Sequence, residues 1–195
     1  VAAFDATTGD VLRWNPNVTG VSVRAILVGK KAVYLGGQFS AVHGQRRLNL
    51  ARVGRGPGSK LTAGFRHRTE APVRALAFSA GRLLVGGDFM QFDGKRRWRT
   101  AAVGLRAPYR LRPWAPHAQL GGVKSILTSS KGIYLAGDFR QFDGRTRYQR
   151  LALVNTSSGQ LVRGFNPPTR AVVFGIVRDG DAIVAAIGGP HGGQV

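Results

Sequence analysis

The chain has 195 residues, of which 43% are hydrophobic, and its 29 Lys and Arg against 9 Asp and Glu give a net charge of +20. This length and apolar content predict a globular domain, or part of a larger one, and exclude a disordered chain. The sequence has no Cys, which excludes a disulfide framework and a thiolate metal site. The charge favours contact with polyanions, although a GC-rich codon usage would also raise the Arg content.

The chain repeats with a period of fifty residues. Phe39, Phe89 and Phe139 are spaced by 50, and the glycines two residues before each of them keep the same spacing. Valines at positions 23, 73, 123 and 173 open a further recurring segment. A spacing that is kept through four repeats indicates an array of similar supersecondary units.

Each period holds four short apolar segments. In the unit 71–120 these are, in chain order, VRALAF, RLLVGGDF, RTAAVGL and RLRPWAP, with the connections SAGR, DGKR and APYR between them. Segments of this length, rich in Val, Leu and aromatic residues and bounded by Gly, Asp, Ser and Pro, are typical of strands. No helical periodicity is sustained. The sequence therefore predicts an all-β fold with four antiparallel strands in each unit.

Four strands in every fifty residues predict the blades of a β-propeller, with a β-solenoid as the alternative. The whole chain, 1–195, is then a single domain or a fragment of one, with about four blades. Two half-blades would either mate and close a four-bladed ring or belong to a ring of six to eight blades, and we favour the fragment. The predicted units are half-blades 1–20 and 171–195 and whole blades 21–70, 71–120 and 121–170.

The paired glycines of the second segment predict close packing between neighbouring sheets. Gly86 and Gly87 remove side chains inside an apolar strand, and such glycines mark a close approach of another backbone or sheet. Phe89 then fills the space beside them. We interpret this motif as a packing device.

Two stretches carry a family resemblance, VRALAF…LLVGGDFMQFDGKRRWRTAAV and GIYLAGDFRQFDGRTRYQRLALVNTSSGQLVRGFNP. They resemble the delta-60-type β-propeller repeats of bacterial secreted or surface-attached proteins, and the double-glycine strand is similar to that of kelch blades. The resemblance covers three units and the segment VAAFDATTGDVLRWNPN before them, whereas the last segment, from Val172, lacks the GDF motif. It implies a propeller fold and a secreted or cell-surface location, and it implies no reaction and no catalytic residues.

The recurring acidic residues favour turns over a metal site. Asp88 with Asp93, and likewise Asp138 with Asp143, would offer the oxygen ligands that Ca²⁺ prefers, but the first unit lacks acidic residues at both positions. We interpret Asp93-Gly94 and Asp143-Gly144 as hairpin turns, and Asp88 and Asp138 as acceptors for nearby backbone amides.

The sequence predicts no catalytic residues, no metal and no cofactor. The four histidines, His43, His67, His117 and His191, have no metal-ligand spacing. No nucleophile elbow occurs, and the glycine-rich GGPHGG lacks the Lys-Ser/Thr of a phosphate loop.

The cations after the second segment recur at the same place in each unit. Equivalent loops of successive blades emerge on one face, so we expect an arc of cations with Trp98 and Tyr148 between them. Arg beside aromatic residues suits phosphate, carboxylate or sulfate groups; the alternatives are solvated turns, or pairing of each Arg with an Asp of the neighbouring blade. The expected ligand-binding residues are Arg46, Arg47, Lys95, Arg96, Arg97, Trp98, Arg99, Arg145, Arg147, Tyr148 and Arg150.

These features favour a non-enzymatic bacterial module that binds or has a structural role, with a basic loop face for a polyanion or a partner protein. The alternative is a propeller-type enzyme, or the non-catalytic propeller domain of a larger enzyme that acts on cell-wall or extracellular polymers. An anionic cell-wall polymer or an acidic polysaccharide is the expected partner. Nucleic acid is a weaker candidate because no segment resembles a base-reading element.

Overall fold

The computed structural model describes residues 1–189, and the predicted all-β fold is confirmed for them. They form antiparallel sheets, with no helix among the described residues. It follows that no helix in this part of the chain is long and apolar enough to cross a membrane. His191 and most of the GGPHGG loop lie outside the described residues.

The strands fall into four groups along the chain. The first group is β1 (Val18–Val28), β2 (Val33–Val42), β3 (Gln45–Arg46) and β4 (Leu50–Val53). The second is β5 (Val73–Ser79), β6 (Arg82–Gly87), β7 (Gln91–Phe92), β8 (Lys95–Arg96) and β9 (Thr100–Gly104). The third is β10 (Ala118–Gln119), β11 (Val123–Ser129), β12 (Gly132–Gly137), β13 (Gln141–Phe142) and β14 (Leu151–Val154). The last is β15 (Val172–Asp179) and β16 (Ala182–Gly188).

Three of the groups share one sheet topology. A long first strand pairs with a second strand, and the second pairs with a third, giving β1-β2-β4, β5-β6-β9 and β11-β12-β14, all antiparallel. The fourth predicted strand is reduced to one bridge in each unit, made by Leu61, Leu111 and Leu161. Pro113 and the glycines Gly64 and Gly164 follow these leucines closely, and such residues end a strand.

The core lies between successive sheets. β5 lies against both β1 and β11, and β11 lies against β15, so the sheets follow one another in chain order. Tyr34 and Phe65 of the first unit pack with Val73, Phe89 and Phe92 of the second in one buried cluster. Each sheet therefore buries its apolar residues against the next unit, and a single unit would leave these residues exposed to water.

The paired glycines have two different neighbours. A Cβ at Gly86 would lie 2.8 Å from Cγ1 of Val123 and 3.0 Å from Cδ1 of Ile126, both on the following sheet. A Cβ at Gly87 would instead lie 3.0 Å from Cα of Val73, on the partner strand of its own sheet. Gly86 therefore allows sheet-to-sheet packing as predicted, whereas Gly87 allows close strand pairing.

No hydrogen-bonded strand pair joins the first group to the last within residues 1–189. The last group has two strands in these residues, and its sheet is β15-β16 alone. A closed ring is therefore not formed by the described residues.

Candidate anion-binding surface

Three tight hairpins carry the candidate site. Their turns are His43-Gly44, Asp93-Gly94 and Asp143-Gly144, and both residues of each turn have positive φ, between 47° and 74°. A two-residue turn with positive φ at both positions suits the twist of antiparallel strands, and Asp-Gly and related pairs adopt it readily. The predicted Asp-Gly hairpin turns are confirmed.

The hairpins lie at equivalent places in their units. Each is fixed by pairing with the segment that enters its own unit: Thr19 pairs with Ala41, Thr69 bridges Phe92, and Ala118 pairs with Phe142. Because the units repeat and their sheets pack in order, the three turns lie at the same edge of successive sheets.

Five of the expected cations are exposed on these hairpins. We call them the basic hairpin surface: Arg46, Lys95, Arg96, Arg145 and Arg147. Within residues 1–189 none of the five has a carboxylate within 4.0 Å. The alternative in which each arginine pairs with an acidic neighbour is therefore not the arrangement seen at these five side chains.

The acidic side chains near the hairpins have other partners. Asp93 lies 2.5 Å from Nδ1 of His67 and accepts a hydrogen bond from the backbone N–H of Arg68. Asp143 lies 3.9 Å from Nδ1 of His117. Within residues 1–189 neither carboxylate forms an ion pair with a cation of the basic hairpin surface.

Two expected ligand-binding arginines fold back on the chain. Arg47 is 9% exposed, and its guanidinium donates to the backbone carbonyl of Arg46 at 2.8 Å. Arg97 makes the same contact with the carbonyl of Arg96 at 3.0 Å. Burial, followed by the positive charge of Arg66, lowers the pKa of Arg47. Both arginines therefore brace the hairpin, and Arg47 presents little charge to solvent.

Arg99 and Arg150 also have a backbone role. Their guanidinium groups donate to the carbonyls of Asp88 and Asp138 respectively. Both residues have positive φ, 67° and 66°, and Asn49 with φ 65° occupies the same place in the first unit. Burial lowers the pKa of Arg150, the charge of the neighbouring Arg140 lowers it further, and Asp138 raises it. These arginines stabilise the turn into the third strand.

The two aromatic residues differ in exposure. Tyr148 is 1% exposed, and its hydroxyl donates to the carbonyl of Arg163 at 2.9 Å, while Arg147 lies over its ring at 4.8 Å. No face of this ring is free to stack on a ligand, so its expected binding role is corrected to a structural one. Trp98 is half-buried, with the Arg96 guanidinium 4.5 Å from its ring centroid.

A second set of cations, which sequence reasoning missed, lies on the first strands. Arg74 makes an ion pair with Asp88 at 2.6 Å, and Lys124 makes one with Asp138 at 3.1 Å. The signal was a basic residue recurring directly after the repeated valines, at a shift in the pairing register that is typical of a β-bulge. The main partner of the Asp88 carboxylate is therefore a side chain, whereas the sequence predicted backbone amides.

Asp138 has the predicted backbone partner as well. The N–H of Gly122 donates to its Oδ1 at 2.5 Å. Burial raises the pKa of Asp138, but the hydrogen bonds from Gly122 and Lys124 and the positive charge of Lys124 outweigh it, so the pKa lies below its usual value. This carboxylate is ionised at neutral pH, and it stabilises the bulge rather than binding a ligand.

The side chains of the histidines contact other groups of the protein. His67 Nε2 lies 2.6 Å from the Tyr109 carbonyl, opposite its contact with Asp93. His43 Nε2 lies 3.1 Å from Oγ of Ser59, a fully buried serine. In the described part of the chain, no three His, Asp or Glu side chains come together as metal ligands would.

Mutation distinguishes the cations that donate to backbone carbonyls from the cations that are exposed to solvent. Arg99→Met is expected to lower the free energy of unfolding by about 1–3 kcal/mol, because the half-buried carbonyl of Asp88 loses a charged donor. Arg96→Met, at an exposed position, is expected to change it by less than about 0.5 kcal/mol. Urea unfolding followed by fluorescence measures both. Equal destabilisation by the two variants would contradict the conclusion that Arg99 braces the turn and Arg96 does not.

Comparison of the chain with protein-family models and with curated proteins gave no match.

Proposed function

We propose that this chain is a non-enzymatic binding module of the delta-60-type β-propeller class, which works outside the cell or at its surface. The fifty-residue repeat, the recurring GDF motif and the sheets packed face to face in chain order support the propeller. The first strands β1, β5, β11 and β15 succeed one another through mutual contacts, as the innermost strands of neighbouring blades do. The location rests on the resemblance to bacterial secreted repeats.

We further propose that the basic hairpin surface binds an extended polyanion. The observation that carries this proposal is the repetition, on three equivalent hairpins, of exposed cations that have no carboxylate within 4.0 Å among residues 1–189. A linear polymer with regularly spaced carboxylate, phosphate or sulfate groups would contact all three hairpins at once, and each contact would add to the others. An anionic cell-wall polymer or acidic polysaccharide fits this chemistry better than a sequence-specific nucleic acid, which would need base-reading side chains.

Binding to a model polyanion tests the proposal. Arg46→Ser/Arg96→Ser/Arg147→Ser removes one exposed cation from each hairpin, and we expect at least about a tenfold loss of affinity for heparin, which is about 1.4 kcal/mol. With single-stranded DNA as probe, the slope of log affinity against log salt should fall by about 2, since each lost phosphate contact contributes about 0.7. Affinity chromatography and fluorescence titration measure these changes.

The matched control removes the same charge at the other end of the sheets. Lys30→Ser/Lys131→Ser/Arg178→Ser changes three exposed cations at the turns that join a first strand to a second strand, whereas the hairpins follow the far ends of the second strands. We expect this variant to keep at least half of the wild-type affinity. If both triple variants lose affinity to the same extent, the charge acts as a whole and the hairpins are not a site.

A further inference from the structure

Three arginines of the basic hairpin surface hold the same place in their hairpins. Arg46 and Arg96 end the short strands β3 and β8, which pair in the same register. Arg147 directly precedes Tyr148, which holds the place that Arg97 has in the second hairpin, because each donates from its side chain to a backbone carbonyl of the fourth segment. All three equivalent arginines are exposed.

Two of these arginines lie over an aromatic ring. The guanidinium carbon of Arg96 is 4.5 Å from the centroid of the Trp98 ring, and that of Arg147 is 4.8 Å from the centroid of the Tyr148 ring. The ring belongs to the second residue after the arginine in one hairpin and to the next residue in the other. Hairpins of different length therefore reach the same contact by different routes.

The contact holds the guanidinium group in one orientation. Its N–H groups lie in the guanidinium plane and form a fork that fits the two oxygens of a carboxylate through two parallel hydrogen bonds. A side chain that is already held in place loses less entropy when a ligand binds. In the first hairpin Leu48 replaces Trp98, and within residues 1–189 no aromatic ring lies under Arg46.

An exposed His–Asp pair lies between the second and third hairpins. The ring centroid of His117 is 6.3 Å from that of Trp98, and its Nδ1 is 3.9 Å from Oδ1 of Asp143 on the turn of the third hairpin. Their side chains are 50% and 37% exposed. A carboxylate accepts hydrogen bonds and an imidazole donates or accepts them, so the pair suits a ligand hydroxyl.

The equivalent pair one unit earlier is used inside the protein. Nδ1 of His67 lies 2.5 Å from Asp93, and Nε2 lies 2.6 Å from the carbonyl oxygen of Tyr109. The side chain of His67 is 12% exposed. The repeat therefore accommodates a closed His–Asp pair at this place, and the exposed pair is particular to the junction between the two hairpins that carry the stacked arginines.

We infer that the second and third hairpins bind a polyuronate, an acidic polysaccharide with a carboxylate and hydroxyl groups on each sugar ring. Arg96 and Arg147 each hold one carboxylate through two parallel hydrogen bonds, and the pair of His117 and Asp143 binds a ring hydroxyl. A phosphate polymer without hydroxyls would bring like charge to Asp143 and no donor, which disfavours it. This inference rests on the proposed polyanion binding and specifies the ligand of the same surface.

Exchange of arginine for lysine tests the two forks at constant charge. Arg96→Lys and Arg147→Lys should each lower the affinity for polygalacturonate at least about fivefold, because an ammonium group has no planar fork. The slope of log affinity against log salt should not change, since the number of cations is the same. Arg46→Lys, at the arginine without a ring, should give a smaller loss of about twofold. Fluorescence titration measures these affinities.

Equal losses at the three arginines, or no loss at Arg96 and Arg147, would overturn the inference and leave binding by charge alone. The proposed polyanion binding fails by a different result, in which the triple serine variant of the hairpins binds heparin no more weakly than its control.

Trp98 acts as a positioning residue for Arg96, and its replacement tests that role. Trp98→Leu installs the residue of the first hairpin and should lower the affinity for polygalacturonate at least about fivefold, whereas Trp98→Tyr keeps a ring and should retain at least half of the wild-type affinity. Urea unfolding shows whether both variants are folded to the same extent. Equal affinities of two equally stable variants would refute the positioning role.

The choice of polymer is tested with Asp143→Asn. Asn-Gly also forms this tight turn. The variant removes a negative charge, which favours every polyanion, but it also removes the charged acceptor for a hydroxyl. The ratio of the affinity for polygalacturonate to that for polyphosphate should therefore fall at least about threefold. An unchanged ratio, or a wild-type chain that prefers polyphosphate or single-stranded DNA to polygalacturonate of equal charge, would overturn the assignment to a polyuronate.

Discussion

Gly137→Ala is expected to lower the free energy of unfolding by about 3 kcal/mol, the upper part of the range for overpacking a buried site. A Cβ at this position would collide with the carbonyl oxygen of Gly122 and would lie 3.0 Å from its carbonyl carbon. Those atoms are backbone, next to the start of β11, so relief requires β11 and β12 to move apart. Equivalent glycines stand at the same close approach in the first two units, Gly37 against Ser22 and Gly87 against Pro72.

Gly175→Ala is the matched control for this prediction. It also places a methyl group on a strand, but no atom lies within 4 Å of the added Cβ. Removing glycine's extra backbone freedom should leave stability unchanged or raise it by about 0.5–1 kcal/mol. Urea denaturation midpoints compare the two variants. If Gly137→Ala unfolds at the same urea concentration as Gly175→Ala, the close approach of β11 to β12 does not limit the residue at 137.

Sequence reasoning works well here where the signal is local and repeated. The fifty-residue period located the units, and the Asp-Gly pairs located the hairpins, because a turn with two positive φ angles depends mainly on its own two residues. Gly86 was correctly interpreted as a packing device for the same reason: a glycine inside an apolar strand has few other uses.

The fourth strand could not be predicted with the same success. Its apolar residues, such as Leu111, do face the sheet, and one bridge forms in each unit. Strand length, however, depends on how many backbone groups find partners across the ladder. Here Pro113 cannot donate a ladder hydrogen bond, so the segment RLRPW supports one bridge where the apolar pattern predicted a strand.

Whether a cation is exposed or braces the turn depends on the number of residues in its hairpin. The presence of a basic cluster does not reveal this number. The backbone N–H of Arg99 donates to Phe89, ten residues before it, whereas that of Arg150 donates to Phe139, eleven residues before it. The third hairpin therefore holds one more residue, and Tyr148 takes the place that Arg97 has in the second unit. Both side chains donate to backbone carbonyls of the fourth segment, those of Arg163 and Arg112. The recurring position of the cations predicts a basic loop, but only this contact pattern separates the exposed cations from those that brace the turn.

Trp114→Ala is expected to destabilise the chain by about 3–5 kcal/mol, as is usual when a large buried aromatic residue is truncated. Trp114 is 2% exposed and packs with Ile133 and Val154 of the following unit. Its indole N–H donates to the carbonyl of Asn155 at 3.3 Å. Trp14 makes the same type of contact two units earlier, with its indole N–H 2.9 Å from the carbonyl of Gly54. The fourth segment thus has one bridge to its own sheet, and its aromatic residue fixes it to the next unit.

Trp98→Ala separates this inter-unit role from simple loss of an aromatic ring. Trp98 is half-buried and lies against Arg96, with its ring centroid 6.3 Å from that of His117. Among residues 1–189 it belongs to none of the buried clusters, so its truncation should cost no more than about 1.5 kcal/mol, the scale of surface aromatic and cation–π contacts. Thermal and urea unfolding of both variants give the comparison, with secondary structure followed by circular dichroism. If Trp98→Ala destabilises as much as Trp114→Ala, the loss at Trp114 reflects the truncation of any aromatic ring and is not specific to the contact between units.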